Sequence, residues 1–194
     1  LDRNIVTSIY VIDVSCIIHR EPCQPQAEFI TYGSDPTWSP DGQKIVYVNY
    51  ESIYIIDLSN PGVSKQIMTD MKPCAEPAWS NHSDRIIMRC KGFYIFDGYS
   101  ENRKKLEIPD RDTYWDTLFG GNNPTWNPTD EKVVFVRYYF KKGREVPYAS
   151  LYIMDADGSN ISRLTNRKGE YISWFLWIPK SAEPLLKSCW LFCK

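Results

Sequence analysis

Short apolar runs recur along this chain, and most of them come in pairs. Runs of three or four apolar residues lie at 45–48 and 53–56, at 86–88 and 93–96, and at 133–136 and 151–154. They are rich in β-branched and aromatic side chains, which favours strands over helices. Both alternating faces of each run are apolar, as expected for a sheet that is covered on both sides. The pattern predicts an all-β fold of stacked sheets.

A tryptophan and a turn precede each pair of runs. The first copy reads Pro36-Thr37-Trp38-Ser39-Pro40-Asp41-Gly42, and similar segments surround Trp79 and Trp126. A proline is tolerated near the start of a strand, and Pro-Asp-Gly is a typical turn. The copies recur at roughly 40–50 residues, the length of one four-stranded propeller blade. Because every repeat has this tryptophan, we predict that all three pack between blades and do not form a binding surface.

Two partial repeats flank the three complete ones. One matches the third strand of a repeat but is not preceded by a first and second strand, and it reads Ile9-Tyr10-Val11-Ile12-Asp13. The other matches the tryptophan turn but not the strands that follow it, and it reads Trp177-Ile178-Pro179. We therefore predict a β-propeller of four-stranded antiparallel blades, with three full blades and a composite or incomplete fourth. Residues 1–180 are assigned to the propeller and residues 181–194 to a non-repeat tail. The two halves can pair within one chain or, by self-association, between chains.

Charge and composition narrow the classes of partner. The 23 basic residues nearly balance the 24 acidic ones, for a net charge of -1, so the basic surplus typical of nucleic-acid binding is missing. No apolar run approaches the roughly 20 residues that span a bilayer. We therefore expect neither a nucleic-acid partner nor membrane insertion.

The six cysteines fall into local pairs, of which Cys16 with Cys23 and Cys74 with Cys90 bear on the fold. Cys74 and Cys90 lie at equal distances from the predicted turn at His82, so they face each other on paired strands, within reach of a disulfide. We predict this bridge, and treat Cys16 with Cys23 as a second candidate. The alternative is buried thiols. No cysteine or histidine spacing predicts a metal site.

The repeats resemble the PD40 (WD40-like) repeats of the TolB-like propellers. The resemblance rests on Pro36-x-Trp38-Ser39-Pro40-Asp41-Gly42, on Ile53-Tyr54-Ile55-Ile56-Asp57, and on Leu151-Tyr152-Ile153-Met154-Asp155-Ala156-Asp157-Gly158 with Arg163-Leu164-Thr165. It implies a propeller that is periplasmic or secreted and makes protein–protein contacts. The same repeats also form the substrate-gating propeller of prolyl-oligopeptidase-like peptidases, so the propeller portion of a larger hydrolase or lyase is the alternative.

Two groups of residues are candidates for partner binding. Asp35, Glu76 and Asn123 occupy one repeat position, predicted at the rim of the central channel, where they form a recognition patch or border an unused, water-filled channel. The insert at 111–121 carries Tyr114, Trp115 and Phe119, which either anchor a partner or fold back on the blade.

No catalytic group is predicted. The chain lacks a Gly-x-Ser-x-Gly elbow, and neither His19 nor His82 has a nucleophile in a matching context. The run that opens with Asp155 and Asp157 lacks the last ligand of a calcium loop and is interpreted as a turn. We expect a non-catalytic scaffold without a cofactor that binds a protein partner outside the cytoplasm.

Overall fold

The computed structural model describes residues 7–15, 19, 24–67, 73–90, 92–97, 102–107, 122–139, 148–165 and 172. Within them the chain forms fourteen strands: β1 (Ser8–Ile12), β2 (Ala27–Tyr32), β3 (Ser34–Trp38), β4 (Lys44–Asn49), β5 (Ser52–Asp57), β6 (Ser64–Gln66), β7 (Ala75–Trp79), β8 (Arg85–Arg89), β9 (Phe93–Asp97), β10 (Arg103–Leu106), β11 (Asn122–Trp126), β12 (Lys132–Tyr139), β13 (Tyr148–Asp155) and β14 (Ser162–Arg163). In that part of the chain, no helix is long and apolar enough to cross a membrane.

The strands form three antiparallel four-stranded sheets and one two-stranded sheet. Blade 1 has the order β3-β4-β5-β6, blade 2 β7-β8-β9-β10 and blade 3 β11-β12-β13-β14, while β1 pairs with β2 in a half-blade. Each blade is a meander whose short outer strand leads into the inner strand of the next blade. The three predicted full blades are confirmed. The assignment of residues 9–13 to the third strand of a blade is also confirmed. Among the described residues, β1 pairs only with β2, the outer strand that follows it.

The blades are held together by apolar side chains that alternate between two interfaces. In β4, Ile45 and Tyr47 face the half-blade, where they meet Ile9, whereas Val46 and Val48 face blade 2. The same alternation in blade 2 sends Ile86 and Met88 to blade 1 and Ile87 to blade 3. Each such side chain contributes about 1.5–3 kcal/mol when it is fully buried. This is why the runs are apolar on both faces.

The repeated tryptophan packs against the preceding blade, which makes our prediction right for two copies and wrong for one. The indole Nε1 of Trp126 donates to the carbonyl of Ala78 on the inner strand of blade 2, at 3.0 Å. Trp126 and Trp79 are 3% and 6% exposed, but Trp38 is 47% exposed. Among the described residues, the half-blade that precedes Trp38 consists of β1 and β2 and has no inner strand for this indole to cover.

Aspartates fix the turns that follow the third strands. Asp13 and Asp57 each accept a hydrogen bond from the backbone N–H two residues later, at 2.8 and 2.9 Å. The hydroxyl and N–H of Ser59 hold the pKa of Asp57 below its usual value. At the last copy the carboxylate of Asp155 accepts instead from Lys132 and Asn160, at 2.5 and 2.6 Å. These contacts agree with the interpretation of this segment as a turn.

A buried aspartate joins blades 2 and 3. Asp130, 5% exposed, takes the turn position that Gly42 has in blade 1, and both have a positive φ, 58° and 71°. Its carboxylate accepts from the backbone and side chain of Asn81, at 2.7 and 2.9 Å, and from the backbone of His82, at 2.7 Å. Burial acts to raise the pKa of Asp130, but these hydrogen bonds outweigh it and leave the pKa below its usual value. Arg85 adds two further contacts between blades 2 and 3, because it donates to the Asp130 carbonyl and stacks on Trp126.

A glycine allows β2 to run directly into β3. The N–H of Gly33 donates to the carbonyl of Thr7, at 3.0 Å. A Cβ atom here would lie 2.5 Å from Cδ2 of Tyr47 and 2.6 Å from the carbonyl oxygen of Val48. Both neighbours are buried and belong to the core of blade 1, so neither can move away freely.

We predict that Gly33→Ala destabilises the protein by about 1–3 kcal/mol, as expected when a packed core must accept an extra carbon. Urea unfolding followed by tryptophan fluorescence measures this. Gly62→Ala is the control, because no atom lies within 4 Å of the position that its Cβ would take. Equal stability of the two variants would contradict the packing argument.

We predict that Asp130→Asn destabilises the protein by about 1–3 kcal/mol, because amide hydrogens would face N–H donors that now have a charged acceptor. Asparagine tolerates a positive φ, so the variant tests the carboxylate and not the backbone. Asp41→Asn in the exposed blade 1 turn is the control and is expected to cost less.

The pH dependence provides a second test of Asp130. A carboxyl whose pKa is lower in the folded state stabilises the protein above its unfolded pKa, near 4, and loses this effect as the pH falls through the folded value. Below a pH of about 4, the free energy of unfolding should therefore fall more steeply with decreasing pH for the wild type than for Asp130→Asn. Identical acid profiles would exclude this role for the carboxylate.

Candidate functional site

The three predicted rim residues occupy equivalent positions in the fold. Asp35, Glu76 and Asn123 have positive φ angles of 51°, 54° and 54°, and each lies where the pairing of the inner strand with the second strand shifts register. Asp and Asn adopt this left-handed conformation more readily than most residues. The positive φ at this position therefore explains in part why Asp35 and Asn123 are polar residues. Their role in recognition stays a prediction.

Glu76 contributes to the contact between blades. Its carboxylate accepts a hydrogen bond from the backbone N–H of Asn123, at 2.8 Å, and pairs with Nε of Arg89, at 3.3 Å. Glu76 therefore ties the inner strand of blade 2 to that of blade 3.

Asp35 lies instead in an open cleft of about 1210 Å³. The cleft is at the end of the molecule where the inner strands begin, between the half-blade, blade 1 and the start of blade 2. Its lining consists of Thr7, Ser8, Tyr32, Gly33, Ser34, Asp35, Val48, Asn49, Tyr50, Glu51, Pro73, Cys74 and Ala75. Glu76 and Asn123 do not line it, so the three predicted residues do not form one patch there.

A tight turn presents a tyrosine to this cleft. Asn49 pairs with Ser52, so Tyr50 and Glu51 alone connect β4 to β5, and both have positive φ angles, 46° and 63°. Such turns usually contain asparagine and glycine, because other side chains are strained there. Tyr50 is 87% exposed as a result. The carbonyl of Glu51 accepts from the N–H of Cys74, at 2.9 Å, which anchors the turn to blade 2.

The cleft is acidic and aromatic. Among the described residues that line it, Asp35 and Glu51 are charged and none is a lysine or arginine. Tyr32, 56% exposed, contributes a second ring. Exposed carboxylates next to tyrosine rings suit a basic side chain, which can form an ion pair and stack on an aromatic face.

The predicted disulfide between Cys74 and Cys90 is confirmed, with the Cα atoms 4.2 Å apart. The adjacent residues Ala75 and Arg89 pair directly across β7 and β8, so the bridge closes the end of this hairpin beside the cleft. Cys16 and Cys23 lie outside the described residues.

Other candidates fall on parts of the chain that the structure does not describe. These are Tyr114, Trp115 and Phe119, the repeat-like Trp177, and the boundary between residues 180 and 181. Among the described residues, no group of three or more His, Cys, Asp or Glu side chains is placed to hold a metal ion.

Sequence reasoning missed the turn at Tyr50 and Glu51. The signal was present, because the short link between the two apolar runs at 45–48 and 53–56 has an aromatic residue where a glycine is expected.

Comparison with solved structures identifies the fold as a TolB-like β-propeller. A putative TolB from Agrobacterium tumefaciens matches with a TM-score of 0.56 and 20% identity, over 71% of this chain and 51% of that one. A structure described as a nidogen/laminin complex matches with a TM-score of 0.56 and 11% identity, over 72% and 52%. An oligogalacturonate lyase from Vibrio parahaemolyticus follows at 0.49 and 15%, over 70% and 42%, a similarity too low to bear on chemistry.

The chain spans about half the length of the first two structures that it matches. No protein-family model matches the sequence, and neither does any curated protein. The propeller fold of four-stranded blades rests on the sheets of this structure and on these structural neighbours.

We predict that removing the disulfide with Cys74→Ser and Cys90→Ser lowers the stability by about 3 kcal/mol, the value expected for a loop of roughly 15 residues. Urea unfolding of the unreduced protein and the double variant measures this. A thiol titration is the companion measurement: six free thiols in unreduced protein would contradict the bridge.

Proposed function

We propose that this chain is a non-catalytic propeller that binds a protein partner through the cleft at Tyr50. The observation that carries the proposal is the strained turn, which holds the Tyr50 ring 87% exposed at the mouth of the cleft. Strained backbone is retained mainly where it positions a functional group, and tyrosine is a favoured anchor at protein interfaces.

The chemistry of the cleft indicates the kind of partner. Asp35 and Glu51 make it acidic, and Tyr32 and Tyr50 supply aromatic faces. The complementary surface is a basic loop or strand end with an arginine or lysine at its tip. Steering by charge makes such an association sensitive to salt.

The proposed location is outside the cytoplasm. The disulfide between Cys74 and Cys90 supports it, because such bridges persist mainly in oxidising compartments. The repeat motifs around Trp38 and Asp155 support membership in the PD40 group of TolB-like propellers, which the sequence resembles.

A photo-crosslinking amino acid at position 50 tests the proposal. In the cells that produce the protein, we expect p-benzoylphenylalanine in place of Tyr50 to crosslink to a protein and the same group in place of Val63 not to. Val63 is 62% exposed but lies in the turn at the opposite end of blade 1, so it is a matched control. Equal labelling at both positions, or none, would contradict a site at the cleft.

Two substitutions refine the test once a partner is captured. Tyr50→Asn keeps a residue that tolerates a positive φ and removes the ring, so we expect binding to fall at least tenfold without loss of stability. Glu51→Gln should weaken binding several-fold at low salt and less at high salt. Leu164→Asn, exposed on blade 3, should leave binding unchanged.

A further inference from the structure

Blade 2 contains an ion pair at the repeat position that Asp35, Glu76 and Asn123 share. The carboxylate of Glu76 lies 3.3 Å from Nε of Arg89, and both side chains are largely buried. The same carboxylate oxygen accepts a hydrogen bond from the N–H of Asn123, at 2.8 Å. Blade 2 therefore supplies its own guanidinium to the carboxylate at this position.

The strand register shows which residue takes the place of Arg89 in blade 1. Arg89 pairs across its hairpin with the residue that precedes Glu76. Val48 pairs in the same way with the residue that precedes Asp35. Val48 and Arg89 are therefore equivalent, just as Asp35 and Glu76 are.

Charge at these two positions is balanced in blades 2 and 3 but not in blade 1. Blade 3 has Val136 in the place of Arg89, and its residue at the shared repeat position is the neutral Asn123. Blade 1 also has a valine there, Val48, but it keeps the carboxylate of Asp35. Among the described residues, no hydrogen-bond donor or cation contacts this carboxylate. Blade 1 thus has the acid of the pair without the base.

The cleft has room for a guanidinium beside Asp35. Asp35 and Val48 both line the cleft, and Asp35 is exposed. The cleft volume of about 1210 Å³ is ample for one arginine side chain. Glu51 adds a second exposed carboxylate, which also has no partner within the described part of the chain.

An arginine suits this cleft better than a lysine. The guanidinium is a planar fork that donates two parallel hydrogen bonds to a carboxylate and stacks on aromatic rings, whereas the ammonium of lysine is a strongly hydrated point charge. Asp35 offers the carboxylate, and Tyr32 and Tyr50 offer exposed rings. Blade 2 itself uses an arginine for the equivalent carboxylate.

We propose that the cleft receives an arginine side chain of the protein partner, and that its guanidinium pairs with Asp35 in the place that Arg89 takes beside Glu76. This inference rests on the proposed function, in which the cleft binds a protein, and it names the residue type that the cleft recognises. Asp35 is then a specificity-determining residue, because its charge selects a cation, while the two tyrosine rings favour arginine over lysine.

Two blocked tripeptides test the proposal on the whole chain: N-acetyl-Gly-Arg-Gly-amide and its lysine counterpart. In NMR titrations at low salt, we expect the arginine peptide to shift the backbone amide signals of Asn49 and Glu51 and to bind several-fold more tightly than the lysine peptide. Asp35→Asn should weaken binding of the arginine peptide about fivefold, the effect of one exposed ion pair. Asparagine fits this backbone, because Asn123 has the same positive φ in blade 3.

Asp41→Asn is the matched control. It removes the same charge from an exposed turn at the other end of β3, so it should bind the arginine peptide like wild type.

A second variant supplies the guanidinium from within the chain. Val48→Arg places an arginine where blade 2 has Arg89, so we expect it to pair with Asp35 and to abolish binding of the arginine peptide. Val48 is 8% exposed and packs towards blade 2, so circular dichroism and the unfolding midpoint are measured first. If this variant does not fold, Asp35→Asn alone decides.

The outcomes separate this inference from the proposed function. Equal binding of the two peptides, binding of neither, or an arginine affinity unchanged in Asp35→Asn or in folded Val48→Arg would each overturn the assignment of arginine. Free arginine should bind more weakly than the peptide, because its own carboxylate faces an acidic cleft; tighter binding would indicate a small-molecule site and overturn the proposal. A protein captured by the crosslinker at position 50, without a preference for arginine, would contradict this inference and leave the proposed function standing.

Discussion

The structure depends on sheets that cover one another on both faces. A blade such as β3-β4-β5-β6 has no polar face, because Ile45 and Tyr47 pack on one side and Val46 and Val48 on the other. No blade can therefore be stable alone, and each needs a neighbour before and after it. This constraint explains the all-apolar runs, the buried tryptophans and the polar bonds that fix the spacing between blades, such as those of Asp130 and Glu76.

The fold followed from the sequence because the repeat shows the same chemistry several times. Three tryptophan turns at blade spacing, each with paired apolar runs, predicted the three blades, the half-blade at residues 9–13 and the facing positions of Cys74 and Cys90. These features are local in the sequence or belong to adjacent strands, so no knowledge of distant contacts was needed.

The candidate site was harder to predict because it depends on differences between repeats. Asp35, Glu76 and Asn123 were correctly placed at one position, but Glu76 reaches Arg89 and the Asn123 backbone, which are contacts across a blade and between blades. The exposure of Trp38 follows from its neighbour, of which the described residues form only the two strands β1 and β2. The prominence of Tyr50 depends on a turn conformation that its sequence does not favour.

The two carboxylates at the shared repeat position make different contacts. Glu76 reaches blade 3 and its carboxylate is engaged in that contact. Asp35 has a side chain one methylene shorter and lies exposed in the cleft. Since both have the same backbone conformation, the difference lies in side-chain reach and in what the neighbouring blade offers. Contacts between blades and the proposed recognition surface therefore use the same repeat position, and they are separated where the repeat departs from its own pattern.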